Sequence, residues 1–312
     1  MIVLAIILLI LCAAAGAPLF AVLMGAAMLG FYTADVSLSI VAIELYRIVD
    51  TPLLVALPLF TFSGYLLSEA NTSTRLVNLV QSLFGFLPSG LALVGFVACA
   101  IFTALTGASG VTIVALGALL LPALREAGFS EKYSLGLVTT SGSLGLLLLP
   151  SVPLILYGVI AQQLDVGEPF TILDLFTAGV APLLLMLVLL AAWTLWKHRG
   201  GQIPKTPFTW PQVWQGVKDA RWEIPLPFVV LGGIFGGWFA VSEAAAVTAF
   251  YVLVVEVFLY REIPLLRLPR IMVDSMVMVG GILLILGIAL AFANYLVDVE
   301  VPQKLFEIMQ TY

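Results

Sequence analysis

Charge and histidine are both scarce in this sequence. Asp, Glu, Lys and Arg make up 10% of the 312 residues, against about a quarter in an ordinary soluble domain, and His198 is the single histidine. So few charges cannot clothe a water-soluble fold. With 13 basic residues and a formal net charge of −5, the chain has no basic field for nucleic acid. Cys12 and Cys99 are the only cysteines and sit in apolar runs without partners at metal-ligand spacing, so both read as small buried hydrophobes. A phosphate-binding glycine loop is absent, as is any Cys/His pair. ATP hydrolysis and thiol catalysis therefore have no foothold.

Apolar residues fill that space. They account for 62% of the chain, and the mean hydropathy is +1.15. A bilayer absorbs such a surface, and the length corresponds to roughly eight to ten membrane elements of about 20 residues each. The expected fold class is an all-α polytopic membrane protein. Charge-free stretches mark the elements at 1–34, 51–68, 76–124, 133–164, 175–196, 224–242, 244–255 with its continuation to 260, and 275–297. The first lacks the basic start of a signal peptide and runs too long for one, so it reads as a first membrane helix.

Two stretches are not plain spans. In 76–124, the polar-spaced segment 72–86 suits an interfacial helix. What remains, 88–124, is shorter than the about 40 residues that two crossings and a turn require. It is interrupted at Thr106-Gly107-Ala108-Ser109-Gly110, which predicts a re-entrant helical hairpin with its tip there. In 133–164, Ser141-Gly142-Ser143 and then Pro150-Ser151-Val152-Pro153 interrupt a helix that should break near Leu149.

With the N-terminus cytoplasmic and the hairpin returning to its side of entry, every basic residue except Arg47 and Lys304 is cytoplasmic, as the positive-inside bias requires. Residues 200–222 form a polar cytoplasmic linker with a short amphipathic helix at 210–220 lying at the interface. The order apolar helix, polar break, polar-spaced helix at 60–83 recurs at 286–312. Repeated halves with broken helices characterise secondary transporters, and by that logic the sequence ends before a second hairpin.

The hairpin tip carries two readings. As a G-x-S-G motif it would place Ser109 as the nucleophile of an intramembrane serine protease, which needs a base to activate it. His198, between Lys197 and Arg199, reads instead as a solvated residue at a membrane boundary. In the other reading the breaks form a cation and substrate site. Freed carbonyls and Ser or Thr hydroxyls suit a hard cation, and the N-terminus of the returning half-helix suits a carboxylate. Thr106, Gly107, Ser109, Gly110, Ser141, Gly142, Ser143, Pro150 and Ser151 are the candidate residues. Close packing through small residues would also explain the glycines. Of the acids nearest membrane depth, Glu243 reads as a helix cap and Glu256 as a residue near the interface.

The stretches PLLVALPLFTFSGYLL (52–67), RLVNLVQSLFGFLPSGLALVGFVACAIFTALTGASGVTIVALGALLLPAL (75–124) and GFSEKYSLGLVTTSGSLGLLLLPSVPLILYGVIA (128–161) resemble the large membrane subunit, DctM, of tripartite ATP-independent periplasmic (TRAP) transporters. A fourth, GGIFGGWFAVSEAAAVTAFY (232–251), is similar to the segment joining that family's halves. The resemblance implies an inverted-repeat, elevator-type importer and no enzyme. It implies sodium coupling, with Gly107, Ser109, Ser141 and Ser143 as sodium-site positions. Partners would be a small four-helix membrane subunit and a periplasmic substrate-binding protein delivering a carboxylate across a bacterial inner membrane. It divides the chain into scaffold and arm helices (1–87), half a transport domain (88–164), a scaffold helix with linker (165–222) and the start of a second repeat (223–312). Leu149 stands where the family often has a first proline. The second hairpin and second broken helix would be missing. A divalent-anion symporter working without a binding protein, and a purely structural scaffold, remain alternatives.

Overall fold

The computed structural model describes residues 2–49, 51–87, 89–148, 151–163, 170–198, 207–301 and 304. Among these every regular element is helical. The chain forms two compact units, Met1–Leu54 with Val277–Tyr312, and Val55–Met276.

The first unit contains α1 (Ile2–Ala14), α2 (Leu19–Thr33), α3 (Ser39–Val49) and the C-terminal part of a long final helix. The stretch 1–34 is therefore not one continuous helix but two shorter apolar ones. Gly16 at φ +85° and Pro18 just before α2 end the first and start the second, because neither continues an α-helix. Gly25 of α2 then accepts Leu9 of α1 against its backbone. The unit's core joins Ala27, Phe31, Val41 and Ala291, with the Phe31 and Tyr295 rings edge to face at 5.7 Å. Cys12, expected to be buried, lies exposed on α1, whose outer surface is apolar throughout.

The second unit runs from α4 (Ala56–Glu69) and α5 (Thr72–Phe84) through α6 (Gly90–Thr106), α7 (Ser109–Glu126), α8 (Glu131–Ser141) and α9 (Val152–Gln163). It continues with α10 (Ile172–Lys197), α11 (Trp210–Asp219), α12 (Pro225–Phe235), α13 (Val241–Leu253) and the start of α14 (Leu268–Asp298). Polar caps fix several starts: Thr171 and Asp174 bond reciprocally at α10, and Glu243 accepts the Ala240 N–H at 2.9 Å, as its capping role predicts. By length and composition, Ser109–Glu126, Ile172–Lys197, Val241–Leu259 and Leu265–Asp298 are long and apolar enough to cross a membrane. Together with shorter apolar helices such as α1, α2, α6 and α12, they make a multi-pass membrane protein.

Two boundaries differ from the charge-free runs. Helix α14 starts seven residues before Ser275 and takes in Arg270 and Asp274, an i,i+4 pair at 3.8 Å. Charge marks where hydrocarbon ends, not where a helix ends. Helix α12 stops at Phe235, ahead of the Gly236-Gly237 turn, so 224–242 is not continuous helix.

Candidate functional site

Helices α6 and α7 form a helical hairpin that turns within the Thr106–Gly110 stretch. Only Gly107 and Ala108 separate them, and Gly107 takes φ +67°, which closes α6 and reverses the chain. Thr103 and Thr112 face each other across the hairpin, their hydroxyl oxygens 2.8 Å apart, and the Thr106 hydroxyl lies 3.3 Å from that of Thr112. All three threonines are fully buried.

The second break is longer than the prolines suggest. Helix α8 ends at Ser141, Leu144–Leu147 is a 3-10 turn, and Leu148 is extended. The expected break point Leu149 and the candidate Pro150 lie outside the described residues. The helix has nonetheless ended well before them, because Gly142, Ser143 and Gly145 are poor helix formers that let the turn tighten. The axes of 131–147 and 152–162 differ by 46°.

The two breaks meet. The Thr103 hydroxyl donates to the Gly142 carbonyl at 3.0 Å, tying the C-terminal end of α6 to that of α8. Gly145 rests on α6 so closely that a Cβ would stand 2.6 Å from the Ala104 amide nitrogen. At Gly107 a Cβ would come within 2.8 Å of Val152, the first residue of α9. Two helix C-termini, with their negative dipole ends, and two helix N-termini, with their positive ends, therefore gather in one place. At the N-termini the first intrahelical bonds are Thr112 N–H to the Ala108 carbonyl and Ile155 N–H to the Ser151 carbonyl. The N–H groups of Ser109, Gly110 and Val111 precede them and are free of that ladder.

The predicted residues divide accordingly. Thr106, Gly107, Gly142 and Ser151 lie in the buried junction, where the Ser151 hydroxyl accepts from Leu154 N–H. Ser141 is also buried, but its hydroxyl donates to the Leu137 carbonyl of its own helix at 2.6 Å. Ser143 is exposed and bonds to the Thr140 carbonyl; Gly110 is exposed and Ser109 half-buried. Thr103 and Thr112 were missed. Their i,i+9 spacing across a glycine turn is the signal that could have found them.

His198 is no free surface residue. Its ring packs edge-on against Phe129 and Tyr133, with centroids at 4.8 and 4.6 Å, and Nδ1 lies 3.0 Å from the Thr194 carbonyl. Those contacts occupy the only imidazole available as a base for Ser109.

A second polar cluster was not foreseen. Arg75 on α5 reaches three carboxylates: Nε pairs with Glu223, Nη1 with Glu262 at 2.5 Å and Nη2 with Glu256 at 3.4 Å. Glu256 is fully buried: a π-helical turn, Val254–Leu259, carries it inward, where Thr72 donates to it at 2.9 Å. Tyr260 donates to Glu223 at 3.0 Å and lies under the guanidinium at 4.0 Å. Burial opposes the charge on Arg75, yet Glu223 and Glu256 hold its pKa above the ordinary arginine value.

The profile of the family described as "Tripartite ATP-independent periplasmic transporter, DctM component" matches residues 3–312. The chain is 33% identical over 287 residues to the C4-dicarboxylate TRAP transporter large permease protein DctM of Rhodobacter capsulatus, covering 89% of this chain and 65% of that protein. It is 32% identical over 298 residues to the isethionate TRAP transporter permease protein DctMQ of Oleidesulfovibrio alaskensis, covering 94% and 46%. With the ectoine/5-hydroxyectoine TRAP transporter large permease protein UehC of Ruegeria pomeroyi it shares 30% identity over 253 residues, covering 81% and 58%. The chain thus spans less than two thirds of the length of these relatives. They are permeases and not hydrolases, which removes the protease reading of Ser109. On the match over residues 3–312, this chain belongs to the DctM family of TRAP transporter large permease subunits.

Proposed function

We propose that the chain is the membrane subunit of a sodium-coupled secondary transporter in the bacterial inner membrane. It imports small organic acid anions that a periplasmic binding protein delivers, and a small four-helix subunit braces it. The observation that carries this reading is the meeting of the two helix breaks at Thr103, Gly107, Gly142 and Val152. Carbonyl ends and threonine hydroxyls supply hard oxygen ligands for sodium beside Gly107 and Gly142. Ser109, Ser141 and Ser143 remain proposed contributors, the exposed ones after a rotamer change. The open N-termini of α7 and α9 supply N–H donors and positive dipole ends for a carboxylate. Pairing both within one neutral pocket would couple the anion to the cation. In the proposed elevator motion 88–164 moves, while 1–87 and 165–222 hold the frame and 223–312 begins the second repeat. The names of the relatives point to C4-dicarboxylates, sulfonates or compatible solutes as the range of cargo.

The test is uptake of a labelled C4-dicarboxylate into proteoliposomes carrying the complete transporter and its binding protein. Uptake should need an inward sodium gradient, and Thr103→Val should raise the sodium concentration for half-maximal uptake severalfold. Sodium-independent uptake sinks the coupling, and uptake undiminished without the binding protein favours a stand-alone symporter.

A further inference from the structure

The Arg75 cluster is unbalanced. One guanidinium faces Glu223, Glu256 and Glu262, which leaves a formal charge of −2 when all are ionised. Arg75, Tyr260 and Glu262 also line one side of an open groove of about 740 Å³ between the start of α5 and the exposed side of α11. Glu262 is the carboxylate of that side that lines the groove, beside the Arg75 guanidinium, while Glu223 and Glu256 are buried behind it. Across the groove, Lys218 and Arg221 are exposed, and neither has a carboxylate within ion-pair distance among the described residues. Asp219 stands beside them at the rim.

The surroundings indicate what kind of molecule lies there. Trp210, Trp214 and Lys218 recur every four residues along α11 and so form one line on its surface. Both indoles are more than two thirds exposed, at 73% and 71%. Phe208 extends the line, 5.9 Å from Trp210 and 5.7 Å from Phe86. A row of exposed aromatics ending in basic residues is what the headgroup region of a membrane favours. The opposite side of α11, at Val213, Gly216 and Ala220, is buried, and Gly216 lies against Leu79 of α5, so the row faces away from the protein.

We propose that this groove binds the headgroup of a zwitterionic aminophospholipid of the phosphatidylethanolamine class. Its phosphate lies on Lys218 and Arg221, and its ammonium between Asp219 on their side and Glu262 across the groove. This rests on the reading that α5 and α11 lie along the cytoplasmic face of the membrane. The anionic headgroup of phosphatidylglycerol would satisfy the two cations but bring only neutral hydroxyls to the carboxylates, with no ammonium to balance them. A free metal cation would meet lysine and arginine. A headgroup with both signs a few ångströms apart satisfies both sides. A primary ammonium can also donate to carboxylates, which a choline cannot.

Native mass spectrometry of the full chain, with phosphatidylethanolamine, phosphatidylcholine and phosphatidylglycerol at equal concentration, tests this. Phosphatidylethanolamine should be retained about five-fold over either of the others, the factor expected from one additional charge-assisted contact. Asp219→Asn should bring it down towards the choline lipid and leave phosphatidylglycerol undiminished. The double variant Lys218→Ala/Arg221→Ala should weaken all three. These residues are exposed, so unfolding midpoints equal to the parent's verify that the variants fold. Preferential retention of phosphatidylglycerol, equal retention of all three, or retention unchanged in both variants overturns the proposal, the last placing the lipid elsewhere or leaving the groove to a polypeptide. The readout is lipid binding without solute uptake, so failure of sodium-coupled import would leave it untouched.

Discussion

The junction of the helix breaks and the Arg75 cluster solve the burial of polar groups in opposite ways. The junction uses neutral groups: Thr103, Thr106 and Thr112 hydroxyls, the Gly142 carbonyl and bare glycine backbone. Its members bond to one another at little desolvation cost, and each keeps spare lone pairs for a ligand. The Arg75 cluster buries full charges, which hold only while every partner is present. It joins α5, Glu223 two residues before α12, and the segment that follows α13. In the proposed elevator motion the junction belongs to the moving part and the Arg75 cluster to the frame, and these two chemistries suit those roles.

Substitutions separate the two regions, and the two largest effects, of similar size, belong to packing at the junction and to the buried charges at Arg75. Gly145→Leu should destabilise the protein by about 3 kcal/mol or more, since the new side chain meets the α6 backbone and nothing flexible can yield. Thermal unfolding in detergent measures it, and a near-parental midpoint would mean the two breaks do not touch. Next, Arg75→Met should cost about 3–5 kcal/mol by stranding two buried carboxylates. The double variant Arg75→Met/Glu256→Gln should recover part of that loss; the same recovery at Thr103 would erase the contrast between the regions. Thr103→Val should cost about 1–3 kcal/mol by leaving the Gly142 carbonyl without its side-chain donor. Its effect on sodium dependence should exceed its effect on stability. At the small end, Arg125→Ala breaks an exposed pair with Glu131 and should shift stability by less than about 1 kcal/mol.

Much of the junction was legible in residue types. Glycine, serine and proline inside apolar runs marked both breaks, because a helix in hydrocarbon tolerates them only where other protein groups take up the freed backbone. The partners were not legible. Thr103 and Thr112 look like ordinary helix threonines until the turn at Gly107 folds one onto the other. Ser143 fits the pattern of a ligand, yet it points outward, since its orientation depends on where α8 ends. The Arg75 cluster was invisible for a related reason: its members are separated by some 150 to 190 positions, and single charges at membrane boundaries are common.

By itself the sequence determined that this is a many-helix membrane protein, where its irregular segments fall and to which family it belongs. Hydropathy and backbone chemistry are local properties, written residue by residue. Only the tertiary structure decided that the first apolar run is two helices, that the two breaks form one junction, and that Glu256 is buried under Arg75. Those outcomes depend on distances between residues far apart in the chain, which packing alone sets.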